Sequence, residues 1–241
     1  MGIIAWPDWD WPSLPSSVTF TTTPPITGAN LPDRTLVLTY DDGPGPNTLP
    51  VAQYLSGMGI AATFFMVGER AERQLEILAQ VRALGHRLGN HTWSHPHLID
   101  EVKSGRDVAD GVRRTAAVLG AIPRPIAFRA PWGEWNLEVA NALAPIADEH
   151  VGHIHWRIDC TDWAAWRDGV DPTVVATWYR VHARTMKKGI VLLHDYTADD
   201  PVIAAANRSA ELTRALVPML IADGFTFAPL DAVIAALPLP A

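Results

Sequence analysis

A single cysteine, Cys160, occurs in the 241 residues, so an intramolecular disulfide is excluded and the redox compartment is left open. No apolar run reaches the roughly 18 residues a membrane-spanning helix needs. The formal charge of −7 offers no basic stripe to a phosphate backbone, which argues against a nucleic-acid partner. No Gly-x-Gly-x-x-Gly or Walker-type loop follows a strand-like run, so nucleotide binding has no support. The start, Met1 to Pro7, lacks a basic n-region and a long apolar core, and no signal peptide is visible. On this reading the protein either stays inside or begins after a removed leader. Internal repeats and low-complexity tracts are also missing.

What the chain has in excess is tryptophan, ten in all. Trp6, Trp9 and Trp11 cluster at the start; Trp132, Trp135, Trp163 and Trp166 lie near the motifs described below. Flat aromatic faces stack on sugar rings, although large apolar side chains also fill cores. Residues 1–33 are rich in Pro, Trp, Ser and Thr without a helical period. They read as an N-terminal arm, extended over the domain, linking, or touching a glycan. Residues 34–241 read as one domain, and with 48% hydrophobic residues the chain can build a sizeable core.

From Arg34 onward strand-like and helix-like runs alternate. Strands are expected at 35–39, 62–67, 86–90, 126–129, 152–158, 189–194 and 225–228. Helices are expected at 49–58, 70–84, 102–119, 137–147, 172–186, 210–222 and 231–237. This rhythm predicts an α/β fold of parallel strands with helical crossovers. About seven strands in succession favour a distorted, incomplete (β/α) barrel over an open doubly wound sheet. The residues with chemistry to offer sit at the C-terminal ends of those strands: Asp41 and Asp42, His91, Arg129, Asp159 and His194. In a barrel those ends converge on one face, where active sites of this architecture lie.

The organising stretch is Thr39-Tyr40-Asp41-Asp42-Gly43-Pro44. A buried strand delivers two adjacent carboxylates into a turn forced by Gly43, Pro44, Gly45 and Pro46. Adjacent side chains at a strand end point in different directions, so one can bind a metal while the other faces a reactant. His91 and His95 stand at i and i+4, a spacing that puts both on one face of a helical turn. With Asp42 they make two histidines and one carboxylate, the ligand count of an open catalytic zinc site. His97 follows Pro96, which bends the chain away, so it is left out of the set.

Water activated by a metal ion needs a base, and Asp41 is placed to be one. His194, ending the apolar run 190–193, is the candidate acid. A buried carboxylate must orient it, and Asp162 or Asp159 can do so. Arg129 suits a partner of a carboxylate such as Asp41, keeping it ionised.

These stretches resemble the five motifs of the polysaccharide deacetylases, the NodB-homology family (carbohydrate esterase family 4). Residues 39–44, 91–95, 129–133, 159–163 and 192–194 match them in family order, across roughly residues 34–237. The resemblance implies a distorted (β/α) barrel and a divalent metal, most often Zn2+, held by Asp42, His91 and His95. It implies Asp41 as base, Arg129 holding that base, and His194 as acid with Asp162 as its partner. The backbone N–H of Trp132 would help bind the oxyanion, and Leu193 or Leu192 would line an acetyl pocket. Tyr40, where Phe is commoner, and Trp163 complete the substrate-binding positions; Trp132, where Tyr is frequent, changes the groove wall.

The implied reaction is removal of acetyl groups from a glycan, with N-acetyl groups of chitin-like or peptidoglycan chains favoured. O-acetyl esters of xylan are an alternative for the same site, and a non-catalytic glycan-binding module is a further one. By the same resemblance the protein would be secreted or belong to the cell envelope. The tryptophan-rich arm and residues 198–201 are where substrate preference is expected to be tuned.

Overall fold

The computed structural model describes residues 20, 25–197 and 199–236. Trp6, Trp9 and Trp11 of the arm, Ala198 and the last residue of the expected C-terminal helix lie outside the described residues.

Seven strands run through the described chain, and every pair among them is parallel. They are β1 (Thr35–Asp41), β2 (Thr63–Met66), β3 (Arg87–Asn90), β4 (Ile126–Ala127), β5 (His150–Val151), β6 (Gly189–His194) and β7 (Thr226–Phe227). The main sheet has the order β3-β2-β1-β6, and β7 pairs with the beginning of β1; β4 and β5 form a separate ladder. Single bridges extend these arrays: Asn90 with Phe128, Ile158 with Val191, and Ile26 with Ile154. The result is a parallel α/β array without a continuous ladder around it.

The reason for this layering is legible in β1. Its side chains alternate between two apolar environments. Leu36, Leu38 and Tyr40 enter the larger core, beneath the helices. Val37 enters a second cluster with Phe65 and Ile190. On that inner side Thr39 and Asp41 meet the guanidinium of Arg129. The same alternation in β6 sends Val191 and Leu193 outward and Ile190 inward.

Helix ends carry the expected signals. The helix Pro172–Met186 has Pro at its first position, a cap from the Asp171 side chain to the Thr173 N–H, and Lys187 at φ +66 where it stops. The helix Val108–Leu119 is capped by Asp107 and ends at Gly120.

Three expectations are corrected. The run expected as one helix over 70–84 is two, Gly68–Glu72 and Leu75–Ala83. Between them Gln74 leaves helical geometry and donates its amide to the Pro44 carbonyl. The run expected over 102–119 is likewise divided, because Gly105 at φ +74 follows the helix Leu98–Lys103 before Asp107 starts the next. The strand expected over 152–158 does not form: β5 ends at Val151, and in the chain that follows Ile154 and Ile158 each pair through a single bridge. The described end of the arm is packed: Ile26 and Leu31 are buried in the second cluster.

Candidate active site

At the C-terminal ends of the strands lies a pocket of about 480 Å3. β1 supplies Asp41 as its last residue, and Asp42 follows with φ +75, turning its carboxylate away from the strand direction. The turn is tight: a Cβ on Gly43 would lie 2.5 Å from an Asp195 carboxylate oxygen, so only glycine fits there.

Asp42, His91 and His95 are buried, and one donor atom from each lies within 4.8 Å of the others. His95 Nε2 is 3.2 Å and His91 Nε2 3.5 Å from Asp42 Oδ1. The Nδ1 atom of His91 is 2.8 Å from the Arg129 carbonyl, and that of His95 is 2.5 Å from an Asp199 carboxylate oxygen. A carbonyl and a carboxylate only accept hydrogen bonds, so each ring carries a proton on Nδ1 and points Nε2 at Asp42, where loss of any Nε2 proton leaves a lone pair for an ion. Two imidazole lone pairs and one carboxylate suit a divalent cation. Burial alone would raise the Asp42 pKa; the His91 hydrogen bond and the charges of His95 and His194 overcome that and hold it well below the usual carboxylate range.

The two histidines do not share a helical turn. Residues 91–97 form bends, with Thr92 at φ +67 and His95 at φ +58, before the helix Leu98–Lys103. Side chains fix the bend instead: Asn90 Oδ1 accepts from Thr92 N–H, and Thr92 Oγ1 accepts from His95 N–H. His97 stays out of the cluster and pairs with Glu134.

Beside the cluster, Arg129 is fully buried and donates to Asp41 at 2.7 Å and to Thr39 Oγ1 at 2.8 Å. Its Nε donates to the Ile154 carbonyl, and its guanidinium lies over the Phe65 ring. Burial lowers the Arg129 pKa, and the charge and hydrogen bond of Asp41 only partly oppose it; a guanidinium remains charged throughout.

On the neighbouring strand His194 Nδ1 donates to Asp162 Oδ1 at 2.7 Å, while Asp162 Oδ2 accepts from the His194 backbone N–H. Burial would lower the His194 pKa, but the Asp162 charge and hydrogen bond, with Asp42 and Asp41 behind them, raise it to about 10. Of the two carboxylates the sequence left open, Asp162 therefore meets His194; Asp159 lines the pocket and accepts from the Thr161 N–H.

Trp132 and Trp163 line the pocket, half or about a third exposed. Trp132 has φ +61 in the turn Pro131–Gly133, and its ring stacks on His97 with centroids 4.7 Å apart. Two expected substrate positions are elsewhere. Tyr40 is buried in the main core, stacked on Phe64, with its hydroxyl on Thr213 Oγ1. Leu193 is buried in the same core, and Leu192, one residue earlier and on the opposite face of β6, lines the pocket. Period-two alternation decides both: the face that holds Asp41 and His194 cannot hold Tyr40 and Leu193.

Three residues not anticipated singly also belong here. Asp199 holds His95, Arg167 lines the rim, and Asp195 lies behind the Asp42 turn, hydrogen-bonded to Thr48. Burial raises the Asp195 pKa to about 7, against the Thr48 hydrogen bond. The only sequence signals were the acidic run at 199–200 and the His194-Asp195 pair.

The family profile described as Polysaccharide deacetylase matches residues 28–146. The chain is 34% identical over 205 residues to a chitooligosaccharide deacetylase of Bradyrhizobium sp. (strain ANU 289), covering 82% of this chain and 89% of that protein. It is 30% identical over 198 residues to a peptidoglycan-N-acetylglucosamine deacetylase of Bacillus cereus, covering 81% and 85%. A solved peptidoglycan N-acetylglucosamine deacetylase structure has the same fold, with a TM-score of 0.68, 24% identity, and 86% and 91% of the two chains covered. The chain belongs to the polysaccharide deacetylase family and is a hydrolase of that class.

Proposed function

We propose that the protein is a metal-dependent deacetylase that hydrolyses the N-acetyl groups of N-acetylglucosamine-containing glycans, chitin oligomers or peptidoglycan. The observation that carries this reading is the meeting of three assemblies in one open pocket: Asp42 with His91 and His95, Asp41 with Arg129, and His194 with Asp162. The names of the relatives support the N-acetyl amide over the xylan ester.

In this reading Asp42, His91 and His95 hold a divalent ion, Zn2+ by the nitrogen-rich donor set. When bound, it supplies Lewis acidity, acidifying water and polarising the acetyl carbonyl. Asp41 takes the proton of the attacking water, and its bond to buried Arg129 keeps it an acceptor. The backbone N–H of Trp132 donates to the oxygen on which charge develops. His194, its Nδ1–H held by Asp162, gives its Nε2 proton to the leaving amine. Leu192 lies against the acetyl methyl, and Trp132 and Trp163 offer faces to sugar rings.

The proposal takes 34–241 as the catalytic domain and 1–33 as an arm preceding it. It places the protein where polymeric glycans are, secreted or at the cell envelope; no helix among the described residues is long and apolar enough to cross a membrane.

The test is acetate release from chitin oligomers, peptidoglycan and acetylated xylan by the zinc-loaded protein. Release from either of the first two supports the proposal. Release from xylan alone replaces it with an O-acetyl esterase, and release from none replaces it with a glycan-binding module.

A further inference from the structure

The two histidines of the candidate metal centre are held in unlike ways. His91 is fixed by a backbone carbonyl, that of Arg129, itself buried and part of the scaffold. His95 is fixed by a side chain more than a hundred residues away: its Nδ1 meets Asp199 Oδ2 at 2.5 Å. That carboxylate is 41% exposed and lines the pocket. It sits in the segment between β6 and the helix Pro201–Ala206, and the next residue, Asp200, is anchored by accepting from the Val202 and Ile203 N–H groups at the start of that helix. Elsewhere His95 is restrained by the bend of its own backbone and by the Trp132 ring, 4.9 Å from it. Neither contact chooses between the two ring tautomers, and Asp42, 3.2 Å from Nε2, by itself favours a proton on the nitrogen that an ion would need free. Asp199 chooses the proton on Nδ1, because a carboxylate accepts and never donates.

We infer that Asp199 is the positioning residue of the metal centre: it holds His95 with Nε2 toward Asp42 and thereby ties the pocket-lining segment after His194 to the ion. This rests on the metal-site reading above. A carboxylate behind a ligating histidine both orients the ring and raises its basicity, and removal of such a partner costs about 10- to 100-fold in metal affinity. Because the carboxylate is on the pocket wall, the same side chain that sets the ion's affinity is exposed to whatever occupies the groove.

The experiment is competition for Zn2+ between the protein and a chromophoric chelator, on wild type, Asp199→Ala and Asp199→Asn, with the melting temperature of each metal-free protein alongside. Asp199→Ala is expected to weaken Zn2+ by about 10- to 100-fold, with little change in metal-free melting, since a half-exposed loop side chain carries little of the fold. Asp199→Asn keeps an acceptor oxygen for the Nδ1–H, but adds an amide donor and loses the charge, and is expected to recover part of that loss. With Co2+ in place of Zn2+, the visible absorption of the Ala variant is expected to differ from wild type and that of the Asn variant to resemble it. Equal Zn2+ affinity in wild type and Asp199→Ala overturns the inference while leaving the metal site standing. Equal weakening in both variants also overturns it, because Asp199 then acts by charge alone. A wild-type protein that takes no Zn2+ from the chelator sinks the metal site and the role of Asp199 together.

Discussion

Asp41 and His194 are register partners on the adjacent parallel strands β1 and β6. Neighbouring strands are held about 4.8 Å apart by their ladder, so the sheet itself sets the separation between the proposed base and the proposed acid. Arg129 then fixes one end of the pair and Asp162 the other. A substrate amide between them meets both without either side chain having to search for it.

Replacing Asp41 by Asn preserves shape and removes the base. Turnover should fall by about 10²- to 10⁴-fold, the range of general-base effects, with metal content unchanged. Asp41→Ala should lose turnover similarly but also stability, because it leaves the buried Arg129 charge without its partner. Steady-state rates with metal analysis check both, and near-wild-type turnover in Asp41→Asn would remove Asp41 from the chemistry.

The His194–Asp162 pair makes a prediction about pH. The folded-state pKa of His194 is raised to about 10 from 6.5. Its contribution to stability is therefore complete below pH 6.5 and lost as the pH rises through about 10. In metal-free protein, the stability advantage of wild type over His194→Gln should shrink across that window, as read by urea melts. Metal opposite Asp42 offsets the carboxylate charges that favour the protonated ring, so NMR titration should find His194 losing its proton at lower pH once Zn2+ is added. Asp162→Asn should move the alkaline limb of kcat/KM downward; an unmoved limb would show that another group sets it.

Tyr40 tests the face assignment. Tyr40→Phe removes one buried hydroxyl that pairs with Thr213, and the expected loss is about 0.5–1.5 kcal/mol of stability with kcat/KM unchanged. Thermal melts and rates separate the two effects. Lost activity at unchanged stability would return Tyr40 to the substrate.

Trp132 makes the opposite prediction. Its ring is half exposed on the pocket wall, and stacking of this kind contributes about 0.5–1.5 kcal/mol. Trp132→Ala should raise KM for chitin oligomers several-fold and leave kcat nearly unchanged, because the proposed oxyanion contact is made by the backbone. A fall in kcat at constant KM would show that the ring, too, acts in the transition state.

Much of this site could be read before any coordinates because strand ends in a parallel array converge, and Asp41, Arg129 and His194 each end a recognisable apolar run. Tyr40 and Leu193 lie in the core and not in the pocket, and the parity that excludes them is in the sequence: Thr39 and Asp41, like Leu192 and His194, share a face that their neighbours cannot. The bend from His91 to His95 was not legible, since a spacing of four fits a helix as well as a loop closed by Asn90 and Thr92 side chains. Nor was Asp199, whose contact with His95 is made across the fold and leaves no periodic trace. The strand expected at 152–158 failed for a related reason: β-branched and aromatic composition marks extended chain, but ladder partners come from the tertiary fold.

The decisive measurement is deacetylation of chitin oligomers by protein stripped of metal, before and after stoichiometric Zn2+, compared with His91→Ala under the same conditions. The account predicts no acetate release without metal, recovery on adding Zn2+, and neither tight Zn2+ binding nor recovery in His91→Ala. Full activity in demonstrably metal-free wild type, or undiminished Zn2+ binding by His91→Ala, would contradict it.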